Sequence, residues 1–277
     1  MPEAYATSAV ASGATGFAPT GGVQPILSVK HIEKIYGTKD SVTHALAGVS
    51  FDVAPGEFVG IMGPSGSGKT TLLNCVATID TVTSGHILIG GRDITNLRTR
   101  ELARFRRDEL GFIFQDSNLL DTLNGFENIS LALSIKGAPA NQIAAKVHAI
   151  AETLGVSDVL KKYPYQMSGG QKQRIAAARA MAAEPKLVLA DEPTGALDSR
   201  SATVMLEAME MMNVQFGATI MMVTHDSYAA SFAKRILFIK DGTVFNEIRK
   251  GDTSRKDFFS RIMEVVSFLG GDASDAR

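Results

Sequence analysis

Residues 63–71 read GPSGSGKTT and fit the phosphate-loop pattern G-x-x-x-x-G-K-[ST] at every fixed position. The run EFVGIM (57–62) before it is apolar and reads as a buried strand, and TLLNCVATI after it reads as a helix. Strand, loop and helix are the setting this chemistry needs. Gly63, Gly66 and Gly68 open backbone angles closed to other residues, so successive N–H groups can turn toward phosphate oxygens. Pro64, Ser65, Ser67 and Thr71 complete the lining. The helix start adds partial positive charge. Lys69 can reach the terminal phosphates of a nucleotide, and Thr70 can hold Mg²⁺. A glycine-rich turn that binds nothing would not need these flanks.

The chain has 277 residues, enough for one large domain or two small ones with an ample core. Apolar residues at 45% and charged residues at 21% are ordinary for a globular protein. A formal net charge of −1 gives no bulk field that would draw nucleic acid or anionic lipid, so neither is expected as a partner. The one cysteine, Cys75, excludes a disulfide within the chain, fits a reducing compartment and reads as a small buried apolar residue. No apolar run approaches the roughly 18–20 residues that span a bilayer. Residues 1–25 lack the basic start and apolar centre of a secretory signal, and their Ala, Gly, Thr and Ser content reads as a mobile tail.

Outward from the loop, ILSVKHIEKIY (26–36) and VTHALAGVSFDV (42–53) alternate like strands. HILIGG (86–91) and LGFIF (110–114) read as strands around a charged helix at 99–108. Strand signal is absent from about 116 to 183, where 124–135 and 141–155 have helical spacing and a third helix starts at Ser168. It returns at 186–190 and 218–223, separated by a helix at about 199–215. RILFIKDGTVFNEI (235–248) reads as a hairpin closed by Asp241-Gly242, and 255–269 as a last amphipathic helix. Buried strands alternating with helices imply a largely parallel α/β core with an all-helical insert.

Two further stretches carry chemistry. LVLADE (187–192) runs an apolar strand into two carboxylates; Asp191 at such an edge suits Mg²⁺, and Glu192 suits a water-polarising base. MSGGQKQR (167–174) opens a helix that Ser168 can cap, and Gly169 and Gly170 let a phosphate approach the free N–H groups.

With these motifs in order, residues 26–250 resemble the nucleotide-binding subunit of ATP-binding-cassette (ABC) transporters. GPSGSGKTT matches the Walker A loop, Gln115 the Q-loop, and MSGGQ (167–171, with Gln171) the LSGGQ signature, Met167 replacing leucine. LVLADEP matches Walker B, ALD (196–198, with Asp198) the D-loop, and His225 the switch histidine. Tyr36 falls where the family stacks an aromatic ring on adenine. The resemblance implies an α/β P-loop cassette: a mainly parallel RecA-like core, an antiparallel β subdomain, and a helical subdomain at about 116–183. Residues 251–277 would form a C-terminal helix and tail. It implies ATP hydrolysis with Lys69, Glu192 and His225 as catalytic residues and Thr70, Gln115 and Asp191 around Mg²⁺. It also implies a head-to-tail pair, the signature helix of each copy facing the Walker A loop of the other.

FIFQDSNLLDTLNGFENI (112–129) and DEPTGALDSRSA (191–202) resemble lipoprotein-release, macrolide-export and bacitracin-export cassettes. TSGHILIGGRDIT (83–95), QDSNLLDTL and the tail DFFSRIMEVVSFLGG (257–271) favour the bacitracin-export type. That implies an integral membrane permease as partner, a sensor histidine kinase beside it, and work at the cytoplasmic face of the membrane. The alternatives are a lipoprotein-release or macrolide-export cassette, a regulatory cell-division cassette, and a soluble DNA-repair or ribosome cassette. The last usually carries a coiled-coil insert or two cassettes, and neither is present.

Overall fold

In the computed structural model, residues 24–38 and 41–271 are described. The expected tail at 1–25 lies almost wholly outside them. The core is a six-stranded sheet, in the order β10-β9-β3-β8-β7-β6. These strands are β3 (Phe58–Met62), β6 (Leu110–Ile113), β7 (Leu187–Asp191), β8 (Ile220–Val223), β9 (Arg235–Lys240) and β10 (Thr243–Arg249). Five run parallel, and β10 returns antiparallel from β9. That hairpin closes as expected at Asp241 and Gly242, both at positive φ (49° and 74°), the geometry that matches strand twist.

The parallel strands are covered on both faces, which is why their sequences read as unbroken apolar runs. Along β3, Val59 and Ile61 join one core, while Phe58 and Met62 join the other. The first core lies toward a second sheet, β2-β1-β4-β5, made of β1 (Leu27–Thr38), β2 (Ser41–Val53), β4 (Ser84–Ile89) and β5 (Arg92–Asp93). It also takes in Leu72, Leu73, Cys75 and Val76 of α1 (Lys69–Val76) and Phe105 of α2 (Thr99–Glu109). The second core packs β3, β7, β8 and β9 against α3 (Gly125–Lys136), α4 (Ala140–Thr153), α5 (Gly169–Ala182), α6 (Ser199–Phe216), α7 (Ser227–Ala230) and α8 (Arg255–Gly271).

Helix ends follow the sequence. Asn124 and Ser168 accept from the N–H groups of Glu127 and Gln171 to cap α3 and α5, and Gly137 stops α3 in the left-handed region. HILIGG departs from expectation. Its strand starts earlier, at Ser84, and Gly90 and Gly91 (φ 56° and 76°) turn the chain back into the short β5. Among the described residues, no helix is long and apolar enough to cross a membrane.

Candidate active site

The loop between β3 and α1 turns on three glycines, two of which leave no room for a side chain. A Cβ on Gly63 would lie 2.0 Å from the Ile239 carbonyl oxygen, and one on Gly68 (φ 103°) would lie 2.3 Å from that of Ala45. Gly242 N–H donates to the Ser67 carbonyl (3.0 Å), so the β9–β10 turn braces the loop. The Ser67 hydroxyl is buried with no described hydrogen-bond partner. Lys69 is buried, and its ammonium donates to the carbonyls of Gly63 (2.8 Å) and Pro64 (2.7 Å). Burial lowers its pKa, and the charges of Glu192 and Asp191 oppose that shift.

The facing wall comes from the C-terminal ends of β7 and β8, which pair side by side with Asp191 opposite Val223. Glu192 takes a left-handed conformation (φ 46°), rare for a residue with a side chain. Its backbone N–H donates to the Val223 carbonyl (2.9 Å). Its Oε1 accepts from His225 N–H (3.0 Å) and lies 2.8 Å from His225 Nδ1; its Oε2 accepts from the Thr224 hydroxyl (3.2 Å). With Nδ1–H turned to Glu192, His225 offers Nε2 to the cleft. The carboxylate is thus held at a strand edge, where ligands of parallel sheets bind.

Between the walls lies an open cleft of about 520 Å³ lined by Gly63, Pro64, Ser65, Gly66, Lys69, Thr70, Glu192 and His225. Val266, Leu269 and Gly270 at the end of α8 complete it. Nothing in the sequence hinted at that contribution, because helical periodicity shows that a face is apolar but not what it covers.

Two other expected residues, Asp191 and Gln115, do not line this cleft. Asp191 is half-buried; burial and the Glu192 charge raise its pKa, Lys69 opposes them, and no described residue donates a hydrogen bond to it. A carboxylate so placed is suited to a divalent cation. Gln115 packs beside the same segment, since a Cβ on Gly195 would meet its Cδ at 3.1 Å, and Thr70 is exposed in the cleft. The three fit Mg²⁺, which neutralises phosphate charge when bound with ATP.

Ser168, Gly169, Gly170 and Gln171 stand apart from the cleft lining. Ser168 and Gln171 form a reciprocal cap, Gln171 N–H to Ser168 Oγ at 3.3 Å and Ser168 N–H to Gln171 Oε1 at 2.9 Å. That leaves the N–H groups of Gly169 and Gly170 without an acceptor among the described residues. Asp198 caps α6, its Oδ1 accepting from Arg200 N–H (3.1 Å) and Ser201 N–H (3.0 Å). Tyr36 lies on β1, 41% exposed.

A glycine-built phosphate loop facing a strand-end glutamate and a histidine defines a phosphate-loop nucleotide hydrolase. The ABC transporter family model matches residues 46–195. The chain is 50% identical over 250 residues to the bacitracin export ATP-binding protein BceA of Halalkalibacterium halodurans, covering 90% of this chain and 99% of that one. It is 49% identical over 251 residues to the ABC transporter ATP-binding protein YxdL of Bacillus subtilis, covering 90% and 96%. Among solved structures it is similar to the dimeric, post-hydrolysis state of the ATP-binding cassette MJ0796 bound to ADP and Pi. The TM-score is 0.72 at 36% identity, over 80% of this chain and 98% of that one. The chain belongs to the ABC transporter family, as an ATP-hydrolysing cassette that works on ATP with Mg²⁺.

Proposed function

We propose that this cassette powers a bacitracin-export type transporter that protects the cell from peptide antibiotics. Two copies pair head to tail around two Mg-ATP beneath a separate integral membrane permease, at the cytoplasmic face. The observation that carries the reading is the 50% identity along 99% of the bacitracin export cassette. The paired arrangement is supported by the two donor sets: a filled-in loop at Lys69, and unclaimed N–H groups at Gly169 and Gly170 that do not line its cleft.

In this reading Lys69 leaves its loop carbonyls for the β- and γ-phosphates. Glu192 orients or deprotonates the attacking water, and His225 Nε2 holds that water in line with the γ-phosphate. Ser168 and the N–H groups of Gly169 and Gly170 of the second copy meet the γ-phosphate from the far side, with Gln171 and Asp198 shaping that edge. The segment 115–124 offers the permease a firm seat. Arg179 donates to the Ser117 (3.0 Å) and Asn118 (2.7 Å) carbonyls, and Asn128 Nδ2 to those of Leu120 (3.1 Å) and Leu123 (2.9 Å). A sensor histidine kinase is the proposed neighbour of the permease.

The test is bacitracin susceptibility of the source organism after deletion of this chain. The reading expects a several-fold gain in susceptibility, reversed by the wild-type chain and not by Glu192→Gln. Unchanged susceptibility to bacitracin and to other peptides that target the cell wall would reject the assignment.

A further inference from the structure

We infer that Asp80 is a positioning residue for the nucleobase: by holding the Tyr36 hydroxyl it sets the aromatic platform on which the base of ATP stacks. The inference rests on the proposed stacking role of Tyr36.

Tyr36 sits near the end of β1, paired with Thr43, and is 41% exposed, so no core packing fixes its ring. Polar contacts do so instead. Its hydroxyl donates to Asp80 Oδ2 at 2.5 Å. The Thr71 side chain, on the first turn of α1, lies near the same hydroxyl and acts to lower its pKa, which places the ring beside the helix whose start faces the phosphates. The Lys34 ammonium lies 4.7 Å from the ring centroid and is itself held by Asp80 Oδ1 (2.6 Å) and the Thr81 carbonyl (2.7 Å). One aspartate therefore fixes both the rim of the ring and the cation on one face. The exposed part of the ring leaves room for a flat, aromatic base.

The aspartate is well anchored in turn. The N–H groups of Ile79 (2.9 Å) and Asp80 (3.1 Å) both donate to the Asn74 carbonyl at the end of α1. Thr81 N–H donates to Asp80 Oδ1 (2.7 Å). Arg106 of α2 holds Thr78 through its carbonyl (2.6 Å) and hydroxyl (3.0 Å). Burial acts to raise the Asp80 carboxyl, but bonds from Lys34, Tyr36 and Thr81 hold it below the usual carboxylate range, so it stays an acceptor. A pair that served only to hold the loop would need Lys34 alone. The second oxygen, spent on an exposed tyrosine next to the nucleotide helix, is what points to the base.

The experiment measures dissociation constants of the full chain for Mg-ATP and for inorganic tripolyphosphate, with steady-state kinetics, in Asp80→Asn, Tyr36→Phe, their double variant and Tyr36→Ala. Asp80→Asn and Tyr36→Phe should each weaken Mg-ATP binding about 3–10-fold. The double variant should lose no more than the worse single one, because both cut the same bond. KM for ATP should rise while kcat holds, and tripolyphosphate, which has no base, should bind as before. Tyr36→Phe removes no charge, so it keeps the test open if Asp80→Asn folds poorly. Unchanged ATP affinity in Asp80→Asn and Tyr36→Phe beside a loss in Tyr36→Ala overturns the tether. Equal weakening of tripolyphosphate and ATP also overturns it, since Asp80 would then act on the loop as a whole. If Tyr36→Ala binds ATP normally, the stacking role falls and takes the tether with it.

Discussion

The phosphate loop and the start of α5 are both helix N-termini lined with glycine, yet they are built to opposite ends. In the loop two of the three glycines are wedged, Gly63 against the Ile239 carbonyl and Gly68 against that of Ala45, with Lys69 folded onto Gly63 and Pro64. At α5 Gly169 is loose, while a Cβ on Gly170 would meet Ser201 at 3.0 Å. A Cβ on Gly169 would meet only Leu197, at 3.5 Å, and the N–H groups of Gly169 and Gly170 find no acceptor among the described residues. In the proposed pairing the first site is organised by one chain alone, and the second stays open for a ligand held by the other copy.

The comparison breaks first at turnover. Lys69→Ala should cut kcat/KM at least about 100-fold and weaken ATP binding in the single chain, since one cation offsets much of the phosphate charge. Ser168→Arg should remove turnover to a similar degree yet leave single-chain ATP affinity unchanged. Binding titration beside a phosphate-release assay separates the two. Next comes stability. Gly68→Ala forces a side chain into a left-handed position and onto a carbonyl, and should cost about 2 kcal/mol or more, a fall of at least about 5 °C in Tm. Gly169→Ala should stay within about 0.5 kcal/mol. Asp198→Ala should cost about 1 kcal/mol through its lost cap, read by the same melts.

The smallest effect concerns Cys75. Burial first, then the Asp80 charge, pushes its thiol up to about 11. The native state therefore favours the protonated form, so this contribution to stability is whole below the ordinary thiol range and fades as pH climbs toward 11. At pH 8 a maleimide should label Cys75 only after denaturation.

How much of this was legible in the sequence follows from where each signal resides. GPSGSGKTT, Ser168 and Asp241-Gly242 act within a few residues, through backbone angles and caps, and their geometry came out as read. The parallel strands were legible because burial on both faces leaves unbroken apolar runs. β5 was not, since two residues carry no period, and Gly90-Gly91 looked like a strand end rather than a turn. The end of α8 at the cleft and the reach of Asp80 to Tyr36 were also hidden. Both are contacts between distant segments, 44 positions apart for Asp80, that no local pattern encodes.

The most direct test of the two-sided grip is the oligomeric state of Glu192→Gln with saturating Mg-ATP, by sedimentation velocity, alone and combined with Ser168→Arg. The account predicts a stable dimer in the single variant, monomer without nucleotide, and monomer again once Ser168→Arg is added. A dimer that survives Ser168→Arg unchanged, or a Glu192→Gln chain that stays monomeric with ATP bound, would contradict it.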